Sequence, residues 1–341
     1  MFARMRSVAA LAAALISLLV LLLVHLGTGP VPVSFREALH AVLGLPGVDR
    51  ALVAVVRDVR IPSALTAMLV GAALASSGAV MQTLFSNPLA GPSVLGVSSG
   101  AGLGAALVML VPGLSVTLGA AADAALVLAA FAGALLVLAV IVLADRRLGD
   151  PVTLLILGLM VGHLGGALVS VLEVAAGEGA LRGFVLWGMG SFAGVGPERM
   201  PWLALPIAVG LFVTLVHMRA LDAMLLGDEY ARSMGVEVRA TRTRLILATG
   251  LMAGACTAFC GPIAFIGLAT PHLARALLRS AGHRLVLPGS ALCGALLALA
   301  CDILVRRVDG LPVNALTSLI GAPVVVWVLW SGRRWARMAT G

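Results

Sequence analysis

Asp302 and Arg306 stand four residues apart at the end of an otherwise apolar run, residues 285–304. An ionisable group at that depth is costly and is a functional suspect by default, but an i, i+4 pair with Arg306 near the interface is the plainer reading and the one adopted. His163 lies inside another apolar run, residues 152–175, where it could line a path or relay a proton; a bond to a neighbouring carbonyl would serve it equally. His272 follows Pro271, so it either caps a helix break or ligates, and capping is preferred because the nearby Cys face elsewhere. Cys256 and Cys260 share a helical face; with Cys293 and Cys301 they read as small apolar packing residues rather than as a metal pair or a disulfide framework. Ser98, Ser99 and Gly100, with Gly102, form a small-residue surface suited to close packing or to a weakly interacting passage. No nucleophile–base pairing and no metal cluster emerges, so neither a catalytic residue nor a metal site is predicted.

These residues sit in a chain with very few charges, and residues 219–244 concentrate them within MRALDAMLLGDEYARSMGVEVRATRTR. Burying Asp222, Asp228, Glu229, Arg232, Glu237 and Arg239 unpaired in hydrocarbon would cost about 2.5 to 3.5 kcal/mol each, so the stretch is aqueous. Leu225, Leu226, Tyr230 and Met234 recur at spacings of three to four, and Gly235 is a plausible stop, which predicts short amphipathic helices. A folded, amphipathic, water-facing element on a membrane protein is suited to a partner.

The 341 residues are 61% hydrophobic and only 11% charged, and a mean hydropathy of +1.10 places the chain in the membrane class. All 23 basic residues are Arg. With no Lys, no phosphate-cradling G-x-x-x-x-G-K-[ST] loop exists, so any ATP that drives this protein is hydrolysed by another chain. The net charge of +8 does not point to nucleic acid, because the Arg residues sit at the ends of apolar runs as topology signals and lipid-headgroup contacts do.

Hydropathy predicts spans at residues 7–26, 62–84, 94–111, 118–143, 152–175, 201–216, 245–263, 285–304 and 313–330. Residues 29–59 read as an external segment with surface-lying amphipathic helices, and residues 177–196 as an external stretch with a short interfacial helix. Residues 264–278 are ambiguous, being short and interrupted by Pro271. Arg4 and Arg6 at one end and Arg333, Arg334 and Arg337 at the other both favour the inside, which requires an even number of crossings and makes this segment the tenth. The expectation is an all-α integral membrane protein of about ten transmembrane helices with both termini cytoplasmic.

An internal repeat agrees. GAALASSGAVMQTLFSNPLA from Gly71 resembles GACTAFCGPIAFIGLATPHL from Gly254, pairing Gly71 with Gly254, Gly78 with Gly261 and Pro88 with Pro271 at a single offset. The first copy descends where the second rises, as in inverted-topology transporters, and Pro88 and Pro271 mark a helix break in each. This divides one transmembrane domain, residues 1–341, into a first half at 62–175, the charged loop at 219–244 and a second half at 245–330.

The segments RIPSALTAMLVGAALASSGAVMQTLFSNPLAGPSVLGVSSGA, GDEYARSMGV, GPIAFIGLATPHLAR, HRLVLPGSALCGALLALACDILVR and LPVNALTSLIGAPVVVWVL, in that order, resemble the FecCD-type permeases of ABC importers of ferric siderophores, haem and vitamin B12. The resemblance runs over nearly the whole chain from Arg57. It implies a second permease subunit (a homodimer is favoured), two cytoplasmic ATPase subunits that carry ATP and Mg, and a periplasmic or lipoprotein substrate-binding protein. It also implies no cofactor in this chain, and a transporter subunit of the bacterial inner membrane rather than an enzyme. It further implies that residues 225–236 form coupling helices held in a groove of the ATPase, with Leu225 and Leu226 within the region and Gly227, Asp228, Glu229, Ala231, Arg232 and Gly235 matching the motif. Binding-protein docking would fall to Arg60, the first Arg of an R-x-P-R pattern, and to Arg306. Ser63 stands where the second Arg of that pattern is usual, and Arg57 and Arg307 could replace its charge. Other departures are Cys301 for Ala, Ala264 for Gly, Gly310 for Glu and Asn314 for Gly.

A proton- or ion-coupled secondary transporter, with His163, Glu173 and Asp302 as relay groups, is the alternative. It needs buried carboxylates, and the centres of these spans offer almost none.

Overall fold

Long runs of Ala, Leu, Val and Gly wind into helices that satisfy their own backbone polar groups, the requirement a bilayer imposes. The computed structural model describes the backbone of residues 2–308 and 310–339, and side chains except those of residues 2–5, 328, 329 and 331–339. The side chains of Arg4, Arg333, Arg334 and Arg337, on which the topology argument draws, therefore lie outside the described residues. In chain order the helices are α1 (Phe2–Gly27), α2 (Phe35–Leu43), α3 (Arg50–Ala54), α4 (Ile61–Leu84), α5 (Val97–Leu110), α6 (Leu114–Leu118), α7 (Ala122–Leu148) and α8 (Pro151–Ala175). There follow α9 (Glu178–Gly188), α10 (Met200–Val216), α11 (Met218–Met224), α12 (Asp228–Ser233), α13 (Val238–Cys260), α14 (Ile266–Leu278), α15 (His283–Val305) and α16 (Val313–Ala339). Among the described residues there is no strand.

Each run predicted to span is helical over most of its length. Among the described residues six helices are long and apolar enough to cross a membrane, or seven if α10 and α11, bent by 58°, form one broken span. The 14 residues of α5 and the 13 of α14 rise only about 20 Å at 1.5 Å per residue, short of a bilayer core. The external segment holds α2, closed by a capping box in which the Ser34 hydroxyl accepts from the Glu37 N–H and the Glu37 carboxylate accepts from the Ser34 N–H. A π-helical turn, Val55–Arg60, then leads from α3 into α4.

Helix α4 is the hub, buried along most of its length by α10, α13, α14 and α15. Small residues set the approach: a Cβ at Gly71 would lie 2.3 Å from the Gly294 carbonyl oxygen, and one at Gly78 only 1.6 Å from that of Gly267. The same device joins α5 to α7, where Gly100 and Gly133 face each other's backbone.

The structure corrects two expectations. The break in the second repeat falls at residues 261–265, with Gly261 and Phe265 both in the left-handed region, and Pro271 lies inside an unbroken α14. A proline this close to a helix start removes one intrahelical bond, and dense packing around the buried Pro271 retains the rest. Helix α13 also begins at Val238, so residues 238–244 of the expected loop are its first two turns.

Candidate coupling surface

Gly227, at φ 103°, and Gly235, at φ 83°, give the charged stretch its shape. Each adopts a backbone conformation that strains side-chain-bearing residues, and between them the chain makes α12. Asp228 and Glu229 occupy the first turn of α12 and Arg232 the last, matching the helix dipole. Leu221, Ala223, Met224 and Ala231 turn inward, whereas Leu226, Tyr230 and Met234 are 66%, 50% and 61% exposed, and Leu225 is exposed beside them. The outcome is an apolar ridge with Glu229 and Arg232 in water next to it.

Two anchors fasten this ridge to neighbouring helices, and a further contact braces the helix that carries one of them. Buried Arg242 of α13 donates from Nη2 to Asp228 Oδ2 at 2.5 Å and from Nη1 to the Gly149 carbonyl at 2.9 Å, tying α12 to the α7–α8 turn. In that turn Asp150 caps α8, and the Thr153 hydroxyl and backbone N–H hold its carboxyl below the ordinary carboxylate range. Asp145, fully buried at the end of α7, accepts from Thr243 Oγ1 at 3.0 Å. Asp222 of α11 accepts both the backbone N–H and the Nδ1–H of His283, at 2.7 and 2.8 Å, and so caps α15 from another helix. His283 Nε2 in turn pairs with Thr83 Oγ1, in the last turn of α4, at 2.9 Å. Side-chain contacts thus link α11–α12 to α4, α13 and α15. Asp222, Arg242 and His283 do not stand out by spacing, since Asp222 and His283 are 61 residues apart; their only signal is a charge at the mouth of an apolar run.

At the opposite ends of the helices lies a second polar network. Asp302 Oδ2 accepts from His25 Nε2 at 2.6 Å, Arg306 Nε at 2.8 Å and Ser63 Oγ at 3.1 Å, and Arg306 Nη2 also contacts Ser63 Oγ at 2.5 Å. The expected i, i+4 pair is present, and His25, 277 residues away in sequence, joins it. Replacing Asp302 with Ala would leave Arg306 and fully buried His25 without their acceptor. Breaking a buried pair in this way typically costs about 3–5 kcal/mol. Thermal unfolding in detergent is expected to show a clear loss for Asp302→Ala and a smaller one for Asp302→Asn, which keeps an acceptor oxygen.

Arg60 is not presented to a partner in this structure. It is 2% exposed, donating from Nη1 to the Leu26 carbonyl at 2.6 Å and from Nη2 to that of Val31. Those carbonyls lie at and beyond the end of α1, where the helix leaves acceptors unpaired and a nearby guanidinium can satisfy them. Arg306 is mostly enclosed by its own network. Arg57 is exposed while closing the end of α2 through the Ala41 carbonyl at 2.8 Å, and Arg307 is exposed.

Of the expected path residues, Ser98 meets Thr257 Oγ1 at 3.3 Å and His163 is exposed on α8. A Cβ at Gly162 would lie 3.3 Å from Ser99 Oγ, which places Ser99 against α8. Gly100 is buried against α7, its backbone facing that of Gly133, which fits the close-packing alternative of the two the sequence left open. His272 lies inside α14 and not at a helix break, so it does not cap one; it donates from Nε2 to the Pro88 carbonyl at 2.8 Å, which ties the two repeats together. The four cysteines are free.

A bundle of apolar helices around a glycine-packed hub, with one anchored amphipathic helix pair projecting from it, defines a multi-pass membrane permease. The chain belongs to the FecCD transport family, which it matches over residues 17–331. It is 39% identical to the vitamin B12 import system permease protein BtuC of Escherichia coli O9:H4 (strain HS) over 280 residues, 81% of this chain and 84% of that one. It is 37% identical to the hemin transport system permease protein HmuU of Yersinia pestis over 324 residues, 92% and 93% of the two chains. Its fold matches a solved inward-facing metal-chelate type ABC transporter with a TM-score of 0.82 at 30% identity, covering 94% of this chain and 98% of the other. As a member of this family the chain is a transport permease and not an enzyme.

Proposed function

We propose that this chain is the membrane subunit of an ATP-driven importer of a metal chelate, with a ferric siderophore, haem or cobalamin as cargo, in the bacterial cytoplasmic membrane. The observation that carries this reading is the exposed α11–α12 ridge, fastened by Asp222 and Arg242 to helices that would have to tilt. A separate ATPase pair, holding ATP and Mg, grips Leu225, Leu226 and the surface around Glu229, and its closure moves the ridge and switches the access side. The relatives named as vitamin B12 and hemin permeases support the cargo class.

In this reading the chain crosses ten times through α1, α4, α5, α7, α8, α10, α13, α14, α15 and α16, with α5 and α14 as partial-depth spans, and both termini are cytoplasmic. The contact of Ser7 with the Leu278 carbonyl, close to His283, supports placing the start of α1 on the side of the ridge. A second permease copy covers the α8 face that carries His163, forming a passage between subunits with Ser98 and Ser99 near it. A periplasmic or lipoprotein binding protein docks on the far side, where Arg57 and Arg307 are accessible and Arg60 and Arg306 hold the platform together from within. The secondary-transporter alternative is not favoured, because Asp302, its principal relay group, is already paired with Arg306 and His25.

The test is gentle isolation of the tagged chain from its native membrane, identification of its companions and assay of uptake in proteoliposomes. Co-isolation of an ATPase and uptake dependent on ATP are expected. Isolation without any ATPase, together with uptake that follows a proton gradient, would overturn the proposal.

A further inference from the structure

Beside the start of α1 lies a cavity of about 520 Å³, closed on its other side by the end of α14 and the turn into α15. Its size falls within the roughly 300–1,000 Å³ of small-ligand sites. Arg6 and Arg279 line it with Ser280, while Ala10, Leu277 and Leu285 make its floor apolar, and among the described lining residues there is no carboxylate. Both arginines are exposed, and among the described residues neither has an ion-pair partner. The hydrogen bond from Ser7 Oγ to the Leu278 carbonyl, at 3.2 Å, holds the two walls together.

The surroundings are equally one-sided. Among the described residues α1 is the least covered of the candidate spans, with Leu15, Ile16, Leu19, Val20 and Leu23 exposed along it and open to lipid in a bilayer. The cavity thus joins two guanidiniums at the ridge side of the membrane to a continuous apolar helix face. That combination of cationic mouth and hydrocarbon wall complements a molecule with a phosphodiester at one end and acyl chains at the other.

We infer that this cavity is a binding site for an anionic phospholipid, with the headgroup phosphate held by Arg6 and Arg279 and the acyl chains laid along α1. The site rests on the membrane character of the chain and not on its coupling to ATP.

The whole transporter, isolated with its partners, would be reconstituted with defined phosphatidylglycerol and phosphatidylcholine and its retained lipid measured by native mass spectrometry. Wild type is expected to retain phosphatidylglycerol in preference. Arg6→Gln or Arg279→Gln should weaken that retention about fivefold each, and the double variant roughly twenty-five-fold. Ala10→Phe, which fills the cavity and leaves both charges, should displace the lipid as well. Arg284→Gln, an exposed Arg beside the site that does not line it, should change nothing. An unchanged unfolding temperature shows that each variant is folded, and phosphatidylcholine retention shows that its lipid belt is intact. Equal phosphatidylglycerol retention in wild type and in the double variant overturns the site. So does equal displacement by glycerol 3-phosphate at matched concentration, which would make it a site for free phosphate esters. Absence of preferential lipid from wild type would mean that residues of the chain or of a partner fill the cavity, and that also overturns it.

Discussion

Gly78→Val is expected to abolish the folded protein. A Cβ at this position would sit 1.6 Å from the Gly267 carbonyl oxygen, and that atom is backbone, so no side-chain rotation relieves the contact. Helix α14 cannot simply retreat, because Gly267 is itself pressed against α4, with its own Cβ position 2.7 Å from the Leu74 carbonyl. Nor can α4 move away, since α10, α13 and α15 enclose it and Gly71 abuts Gly294 one helix over. Overpacking a well-packed core commonly costs about 1–3 kcal/mol. Here the added atoms must force a pair of backbones away from each other, so the upper end or beyond is expected. Size-exclusion profiles in detergent should show aggregate in place of a folded peak. Gly102→Ala on α5 provides the contrast: nothing lies within 4 Å of its Cβ position, so that variant should be as stable as wild type or better by up to about 1 kcal/mol. If Gly78→Val unfolds within two or three degrees of wild type, roughly the precision of the measurement, the glycine hub is wrong.

This hub shows where the sequence is and is not legible. Apolar runs predict all of the long helices, because burial of apolar side chains and internal backbone bonding are local matters that periodicity and length record. The charged island at 219–244 announces the ridge for the same reason, since its charges cannot enter hydrocarbon. Which glycine meets which is a non-local fact. In the sequence Gly71 and Gly78 are repeat markers aligned with Gly254 and Gly261, whereas in the fold they face Gly294 and Gly267. Likewise the sequence makes Arg60 an external cation, and only the folded path of residues 26–31 reveals the carbonyls that take it inside. Ser63, in the place of an expected Arg, gains meaning from its neighbours. A third guanidinium there would crowd Arg306, while a hydroxyl accepts from Arg306 Nη2 and donates to Asp302. The loss of one surface charge thus accompanies the inward pairing of another. Pro271 fails as a break marker because a single missing hydrogen bond is a small term beside the packing of the helix that holds it.

Glu229→Arg separates folding from function, and it does so because of what Glu229 does not touch. The side chain is exposed in the first turn of α12 and among the described residues it has no hydrogen-bond or ion-pair partner. Reversing it forfeits a favourable dipole interaction of a few tenths of a kcal/mol and leaves every described contact in place, so the unfolding temperature should hold. The neighbouring Asp228 could not serve, since its carboxylate holds Arg242 and its loss would disturb α13 and the α7–α8 turn together. A partner groove complementary to the present acidic corner would instead meet a cation beside Arg232, and like charges brought together at a docked interface cost several kcal/mol. Coupled uptake in proteoliposomes is therefore expected to fall at least tenfold, the ratio that about 1.4 kcal/mol produces, with folded yield unchanged. Loss of the bound ATPase, or ATP hydrolysis no longer stimulated by cargo, should accompany it. If uptake is unaffected in a folded Glu229→Arg protein, the ridge is not gripped at this corner. The anchors Asp222, Arg242 and His283 would then secure a connector and not a lever.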